Sequence, residues 1–369
     1  MTKTEAKMIR EADKAFRKAK TYKGDYYSIN SIFGNDWSLF YILLGGREAG
    51  KSYAAMKWCV NRKMKLKDKL KFYWFRLTDA AADKLLLSNG DKLIDPDIKR
   101  HYGIKLIRKG STLYTYKEQK HKTKTGNVVT KKTTLEPFCE VLSCSTFYNT
   151  KGVGYFDNEY GGEYVIVLDE MNREESEKNG FDIVYNFVNL VENVARSTKQ
   201  KIKVIMIGNT LDEASDLLTA FNFIPDHFGR YKLKSKRCVI DYIRPNEKYL
   251  ERRKGTIADI LMPDASTFTN EVRIDRSLLV NKRAAIKPIR VIKFGKDPSS
   301  WFTVWNGNII KMYNKENLPA YGMRRYLDAL FMPDFYNSVI ERFDNRVFRF
   351  TDLSTFKRFQ KELRKLKKN

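Results

Sequence analysis

Histidine and cysteine are scarce in this 369-residue chain, with three of the first and four of the second. His101, His121 and His227 stand alone, and Cys59, Cys139, Cys144 and Cys238 have no paired spacing. A disulfide framework and a zinc site are therefore both excluded. Reduced thiols in a cytoplasmic protein are the plain expectation, and any bound metal should be one that takes oxygen ligands. No apolar run approaches the roughly 18 residues that a membrane-spanning helix needs, so no membrane partner is expected. The N-terminal residues are charged throughout and lack the apolar stretch of a secretory signal. Acidic residues are also in short supply: 44 Asp and Glu against 70 Lys and Arg leave a net charge of +26. An excess of that size points to a polyanion, nucleic acid before an anionic membrane surface.

What the chain does contain is core-forming material. Hydrophobic residues make up 42% and aromatics 13%, enough to bury two domains and to exclude a disordered polymer. Residues 1–30 read as a basic arm with a thin helical stripe, either a solvated face or a contact to nucleic acid or a neighbouring subunit. Strand and helix then alternate. Strands are expected at 38–46, 70–77, 163–170 and 202–209, and helices at 51–65, 79–87 and 181–197. This rhythm predicts an α/β domain over 31–246 with a mainly parallel sheet. Residues 104–138 form a different texture, a long β-hairpin with Lys117, Lys120, Lys122, Lys124, Lys131 and Lys132 near its tip. Charge on edge strands ordinarily prevents aggregation; six lysines exceed that need and suggest phosphate contact. A charged helical linker (247–272) leads to a C-terminal domain (273–369). There strands are expected at 289–295 and 300–314, folded at Asn306-Gly307, with helices at 321–331, 335–342 and 352–368.

The chemistry concentrates at "GGREAGKS". Gly45, Gly50, Lys51 and Ser52 match G-x-x-x-x-G-K-[ST] between an apolar strand and a helix. Glycines let backbone N–H groups turn in around phosphates, and a helix N-terminus adds its dipole. In such a loop the lysine reaches the β and γ phosphates of ATP and the serine holds Mg²⁺. Asp169-Glu170 closes "YVIVLDE" at the carboxyl edge of a parallel strand, where ligands of α/β sheets bind. Asp169 suits the magnesium shell and Glu170 the orientation of an attacking water; the bland alternative is an N-cap pair opening a loop. Arg196 ends the helix after the acidic strand, as a solvated helix-end cation or an arginine finger toward a neighbouring subunit. Asn209, after "VIMIG", lies where a polar residue could sense the γ-phosphate.

Taken in order, "GGREAGKS", "KFYWFRL", "VIVLDE", "NLVENVAR", "IMIGNT", "FNFIPD", "ERRK" and "RFDNRVFR" resemble the phi29-like phage genome-packaging ATPases over residues 38–350. The resemblance implies an additional-strand (ASCE) P-loop ATPase with a mainly parallel sheet. It further implies a small α+β RNase H-like C-terminal domain, a vestigial nuclease that binds nucleic acid. It implies a homo-oligomeric ring, commonly a pentamer, at the portal vertex of a procapsid in the host cell cytoplasm. ATP hydrolysis there drives double-stranded DNA inward, with portal protein and a packaging RNA as partners. Carried onto this sequence, it makes Lys51 and Ser52 phosphate and magnesium ligands within Gly45, Gly46, Arg47 and Gly50. It also makes Asp169 the magnesium carboxylate, Glu170 the catalytic glutamate and Arg196 a trans arginine finger. Lys151 is similar to a family lysine that precedes the acidic strand. The basic arm and the enlarged hairpin depart from the family pattern.

The expected C-terminal strands "IRVIKFG", "SWFTVWN" and "NIIKMYN" carry no carboxylate, so two-metal cleavage is not expected. Arg273, Arg276, Lys282, Arg283, Lys287, Arg290 and Lys293 would instead make this domain a clamp on phosphates. Two rivals remain: another P-loop translocase or helicase, and a non-enzymatic nucleic-acid-binding protein with a dead loop.

Overall fold

The computed structural model describes residues 22–23, 26–33, 37–46, 48–122, 128–151, 162–172, 180–195, 201–209, 215–225, 227–245, 247–261, 278–280, 288, 290–314, 326–328 and 333–366, with Lys7, Glu11 and Lys14. Over 120–131 it describes the strands' backbone alone. Arg47, Lys124, Arg196, Arg283 and Lys287 lie outside the described residues, as does most of the N-terminal arm. The chain divides into two compact units, one of 10–217 with 227–272, the other of 1–9, 218–226 and 273–369.

The larger unit opens with a two-residue ladder, β1 (Tyr22–Lys23) on β2 (Tyr26–Tyr27). A nine-stranded sheet follows: β3 (Phe40–Leu44), β4 (Leu70–Arg76), β5 (Leu106–Lys109), β6 (Thr112–Lys122), β7 (Val128–Ser143), β8 (Glu163–Asp169), β9 (Lys201–Gly208), β10 (Gly229–Leu233) and β11 (Cys238–Tyr242). Their order is β10-β11-β3-β9-β8-β4-β7-β6-β5. From β11 to β7 all neighbours are parallel, while β10, β6 and β5 are antiparallel additions at the two edges. Strand β9 lies between the glycine-loop strand β3 and the acidic strand β8, which is the additional-strand arrangement. β3, β8 and β9 are apolar runs buried on both faces, as parallel strands covered by helices must be.

Four helices pack on the sheet, α1 (Lys51–Leu66), α2 (Asp79–Gly90), α3 (Pro96–Tyr102) and α4 (Ile183–Ala195). Three short helices occur later in the chain, α5 (Asp216–Ala220), α6 (Glu247–Arg253) and α7 (Ile257–Leu261). α1 buries Ala54, Ala55, Met56, Cys59 and Val60 against Tyr41, Leu43, Trp74, Val165 and Ile205. At its far end Arg62 forks onto Glu163 at 2.6 and 2.9 Å, fixing the start of β8. α2 keeps helical angles only to Leu86, because Ser88 and Asn89 take left-handed φ. All four cysteines are buried, and none forms a disulfide.

In the smaller unit, β12 (Arg290–Lys293), β13 (Trp301–Trp305) and β14 (Ile309–Met312) form an antiparallel meander. β15 (Tyr326–Asp328) pairs parallel to β12, and β16 (Arg349–Phe350) parallel to β14. Helices α8 (Pro333–Asp344) and α9 (Leu353–Leu366) complete the α+β unit expected at this end of the chain. Its core is a cluster of phenylalanines, with Phe359 ringed by Phe294, Phe302, Phe343, Phe348 and Phe350 at centroid distances of 5.0–5.9 Å. The hairpin turn forms at Asn306-Gly307, both left-handed. One expectation fails here. The helical pattern read over 321–331 is a strand at 326–328, because pairing along the open edge of β12 outweighs local helix propensity. That puts Asp328 on a strand, against the expectation that it lies on a helical or loop segment. No group of three or more His, Cys, Asp or Glu that could hold a metal occurs among the described residues.

Candidate nucleotide site

The loop between β3 and α1 wraps a lysine. Lys51 is 5% exposed, and its Nζ donates to the carbonyls of Gly45 at 2.8 Å and Gly46 at 2.6 Å. Burial pulls its pKa down to about 8, against an upward pull from Asp169. Gly50 caps the helix with φ +85, a conformation that L side chains rarely adopt. A Cβ there would also lie 3.1 Å from the Tyr26 ring.

The loop is held from outside as well. Tyr27 N–H donates to the Ala49 carbonyl at 3.1 Å. The Tyr27 hydroxyl donates to Asp241 at 2.7 Å, and Arg230 forks onto the same carboxylate at 2.5 and 2.6 Å. All three are buried, so the carboxylate is neutralised inside the protein by a planar donor that matches it. Desolvation and the neighbouring Asp241 raise the Tyr27 pKa well above its ordinary value. Tyr26 stacks outward: the Arg252 guanidinium of α6 sits 4.7 Å from its ring centroid and donates to its hydroxyl at 2.8 Å.

Opposite the loop stand the two acids. Ser52 Oγ donates to Asp169 Oδ1 at 3.0 Å, so the first hydroxyl of α1 meets the last carboxylate of β8 across the intervening strand. Glu170 follows with φ +58 and a 59% exposed side chain. A left-handed non-glycine residue costs roughly 1–2 kcal/mol, and its surroundings hold it: Met171 N–H donates to Ile207 O at 2.9 Å and Asn172 to Asn209 O at 3.3 Å. Arg76, ending β4, bonds both acids, with Nη1 3.1 Å from Asp169 Oδ2 and Nη2 on Glu170 Oε2.

A cavity of about 440 Å³ opens between these groups, lined by Gly50, Lys51, Ser52, Tyr53, Asp169, Glu170, Ile207 and Asn209, with Glu48 at its rim. A buried cation, backbone donors at a helix start and a hydroxyl–carboxylate oxygen pair fit a triphosphate with a hard divalent ion. Of the residues expected from the sequence, Gly50, Lys51, Ser52, Asp169, Glu170 and Asn209 meet at this cavity, and the Gly45 and Gly46 carbonyls hold the lysine. Lys151 is exposed and does not line it. It follows the turn Phe147–Thr150, which α4 fixes through Asn193 at 3.1 and 3.0 Å, while Asn186 donates to the Cys144 carbonyl ahead of the turn at 2.8 Å. Sequence reasoning missed Arg76, although "KFYWFR" ends a strand on the ligand-binding edge of the sheet. It also missed Arg230 and Asp241, because the β10–β11 hairpin was not recognised.

No family model matches the sequence, and no curated protein matches it. Solved structures that match its fold include two packaging motors. The Phi-28 gp11 DNA packaging motor superposes with a TM-score of 0.55 at 13% identity, over 92% of this chain and 98% of that one. The bacteriophage Phi-29 viral genome packaging motor assembly matches with a TM-score of 0.57 at 18% identity, over 93% and 99%. The chain shares the fold of these two packaging-motor structures. At these identities the likeness carries the architecture, and what each side chain does rests on the geometry above.

Proposed function

We propose that this chain is the ATPase of a phage genome-packaging motor that moves double-stranded DNA into a capsid. The reading rests above all on the meeting of Lys51, Ser52, Asp169 and Glu170 at one cavity; the likeness of almost the whole chain to packaging motors supplies the context. Lys51 leaves the Gly45 and Gly46 carbonyls for the β and γ phosphates. That exchange replaces neutral carbonyls with anionic oxygens around a buried cation. Ser52 and Asp169 hold Mg²⁺, which when bound neutralises phosphate charge. Glu170 turns the attacking water in line, and Arg76 sets where that carboxylate points. Arg47 and Asn209 complete the phosphate contacts.

The oligomeric ring, the portal and a packaging RNA belong to this reading as well. Arg196, beyond the end of α4, acts on a neighbour's nucleotide, with Lys151 on the turn that α4 supports. The charge of +26 serves nucleic acid. Lys120, Lys122, Lys124, Lys131 and Lys132 act on the hairpin, and Arg283 and Lys287 in the C-terminal unit. That unit clamps phosphates and does not cut.

Glu170→Gln decides the core of the proposal. It should bind ATP with near-normal affinity while turnover, measured with duplex DNA present, falls at least about 100-fold. Undiminished hydrolysis refutes the assignment. Arg196→Ala mixed with Glu170→Gln subunits should recover turnover; no recovery rules out action in trans.

A further inference from the structure

We infer that the free part of the β6–β7 hairpin is a duplex-binding ribbon that enters the major groove of B-form DNA and discriminates against A-form RNA. This rests on the nucleic-acid reading above and narrows it to one element and one form of duplex. The sheet register isolates the ribbon. β7 pairs with β4 over Glu140–Ser143, and β5 pairs with β6 over Thr112–Thr115, with one further bond from Tyr116 N–H to Lys105 O at 3.2 Å. Among the described residues, Lys117–Lys122 and Val128–Thr133 then pair as strands only with each other. Register irregularities at Leu113/Tyr114 and Tyr114/Tyr116 fall where the ribbon leaves the sheet, and such bulges bend and twist a strand pair.

Its reach follows from the same register. Tyr73 pairs with Glu140, so β4 begins level with about residue 137. The residues from 128 to 136 therefore run about 30 Å past the start of β4 at about 3.3 Å each. They do so at the end of the sheet opposite Arg76 and the cavity. The free strands carry Lys117, Lys120, Lys122, Lys131 and Lys132 with one acid, Glu118, which Lys105 already binds at 2.8 Å. Lys132 lies 5.0 Å from the Tyr116 ring centroid, and Lys109 5.6 Å from that of Tyr114, so cations and aromatic rings interleave toward the base. One or two charges suffice to keep an open edge from pairing with another chain; five lysines of one sign make an electrostatic surface instead. The B-form major groove, about 12 Å wide and 8.5 Å deep, admits a two-stranded ribbon. That of A-form RNA is deep and too narrow. A ribbon longer than the groove is deep brings its lysines to both phosphate walls.

The test is fluorescence anisotropy without nucleotide, using a labelled duplex DNA and a duplex RNA of equal length across a salt series. One variant replaces residues 117–133 with Asn-Gly, joining the Tyr116–Thr134 pair through a two-residue turn. The second keeps the ribbon and changes Lys117, Lys120, Lys122, Lys131 and Lys132 to Gln. Five phosphate contacts at about 0.9 each predict that the log–log salt slope for DNA falls by about 4 in both variants. Affinity for DNA at moderate salt should drop more than about 100-fold, while affinity for RNA changes less than about threefold. An unchanged DNA slope overturns the ribbon, as does an equal loss on RNA. So does DNA affinity that stays constant while the shortened chain dissociates from dimer to monomer, which would make the open edges a self-pairing surface. If the unaltered chain binds no duplex at all, the nucleic-acid reading itself falls.

Discussion

Replacing Lys51 with Met should stabilise the nucleotide-free protein while abolishing its use of ATP. The lysine is almost wholly buried and, among the described residues, donates to two neutral carbonyls, and burial takes its pKa from 10.5 to about 8. That displacement corresponds to roughly 3 kcal/mol of unfavourable burial, at about 1.4 kcal/mol per pH unit. Losing two hydrogen bonds at about 1 kcal/mol each takes back most of it. A net gain of about 1 kcal/mol remains for Lys51→Met, roughly 2–4 °C in the melting of a domain of this size. The pH dependence has a definite sign. Below about 8 the ammonium is charged in both states and the penalty is complete. As pH rises from about 8 to 10.5 the folded state gives up its proton first, so wild-type stability climbs and the advantage of the variant disappears. Thermal unfolding without nucleotide at pH 7 and pH 10, followed by nucleotide binding at pH 7, measures both halves. A variant that melts below wild type at pH 7, or a difference that ignores pH, refutes the reasoning.

Arg76→Lys keeps a cation but cannot fork onto Asp169 and Glu170 together. Steady-state turnover should fall about tenfold or more while equilibrium ATP affinity stays near wild type, the signature of a misdirected group rather than a lost binding contact. Gly50→Ala places a Cβ against Tyr26 at a left-handed position; it should cost about 1–2 kcal/mol in denaturant unfolding and remove detectable nucleotide binding. Asp241→Ala leaves the Arg230 guanidinium buried without its carboxylate, and should lower stability by about 3–5 kcal/mol in the same assay.

Much of this site was legible because its spacing and its strand context say the same thing. "YILLGGREAGKS" joins a buried strand to a helix, and "YVIVLDE" delivers carboxylates at a strand end. Both signals are local, so one sequence carries them. Arg76 was not legible, since nothing within β4 reveals that β8 lies beside it. The Arg230–Asp241–Tyr27 cluster joins positions 214 residues apart at its widest, and charged residues within short strands read as solvated until the pairing is known. The 326–328 strand failed for the same reason: three residues have no periodicity, and their state is set by the edge they meet. The hairpin, by contrast, announced itself through alternation and composition; its isolation from the sheet came only with the register.

Tyr26 is where two parts of this molecule share a single ring. The ring lies against Gly50 at the mouth of the loop, and Arg252 of α6 grips it from the side. A tug on that helix therefore has a short mechanical route to the glycine, bypassing the nine strands and the packed core entirely. Any recoil of the loop would travel back along the same stack, so the tyrosine behaves as a lever pin between a chemical compartment and the helix at its side.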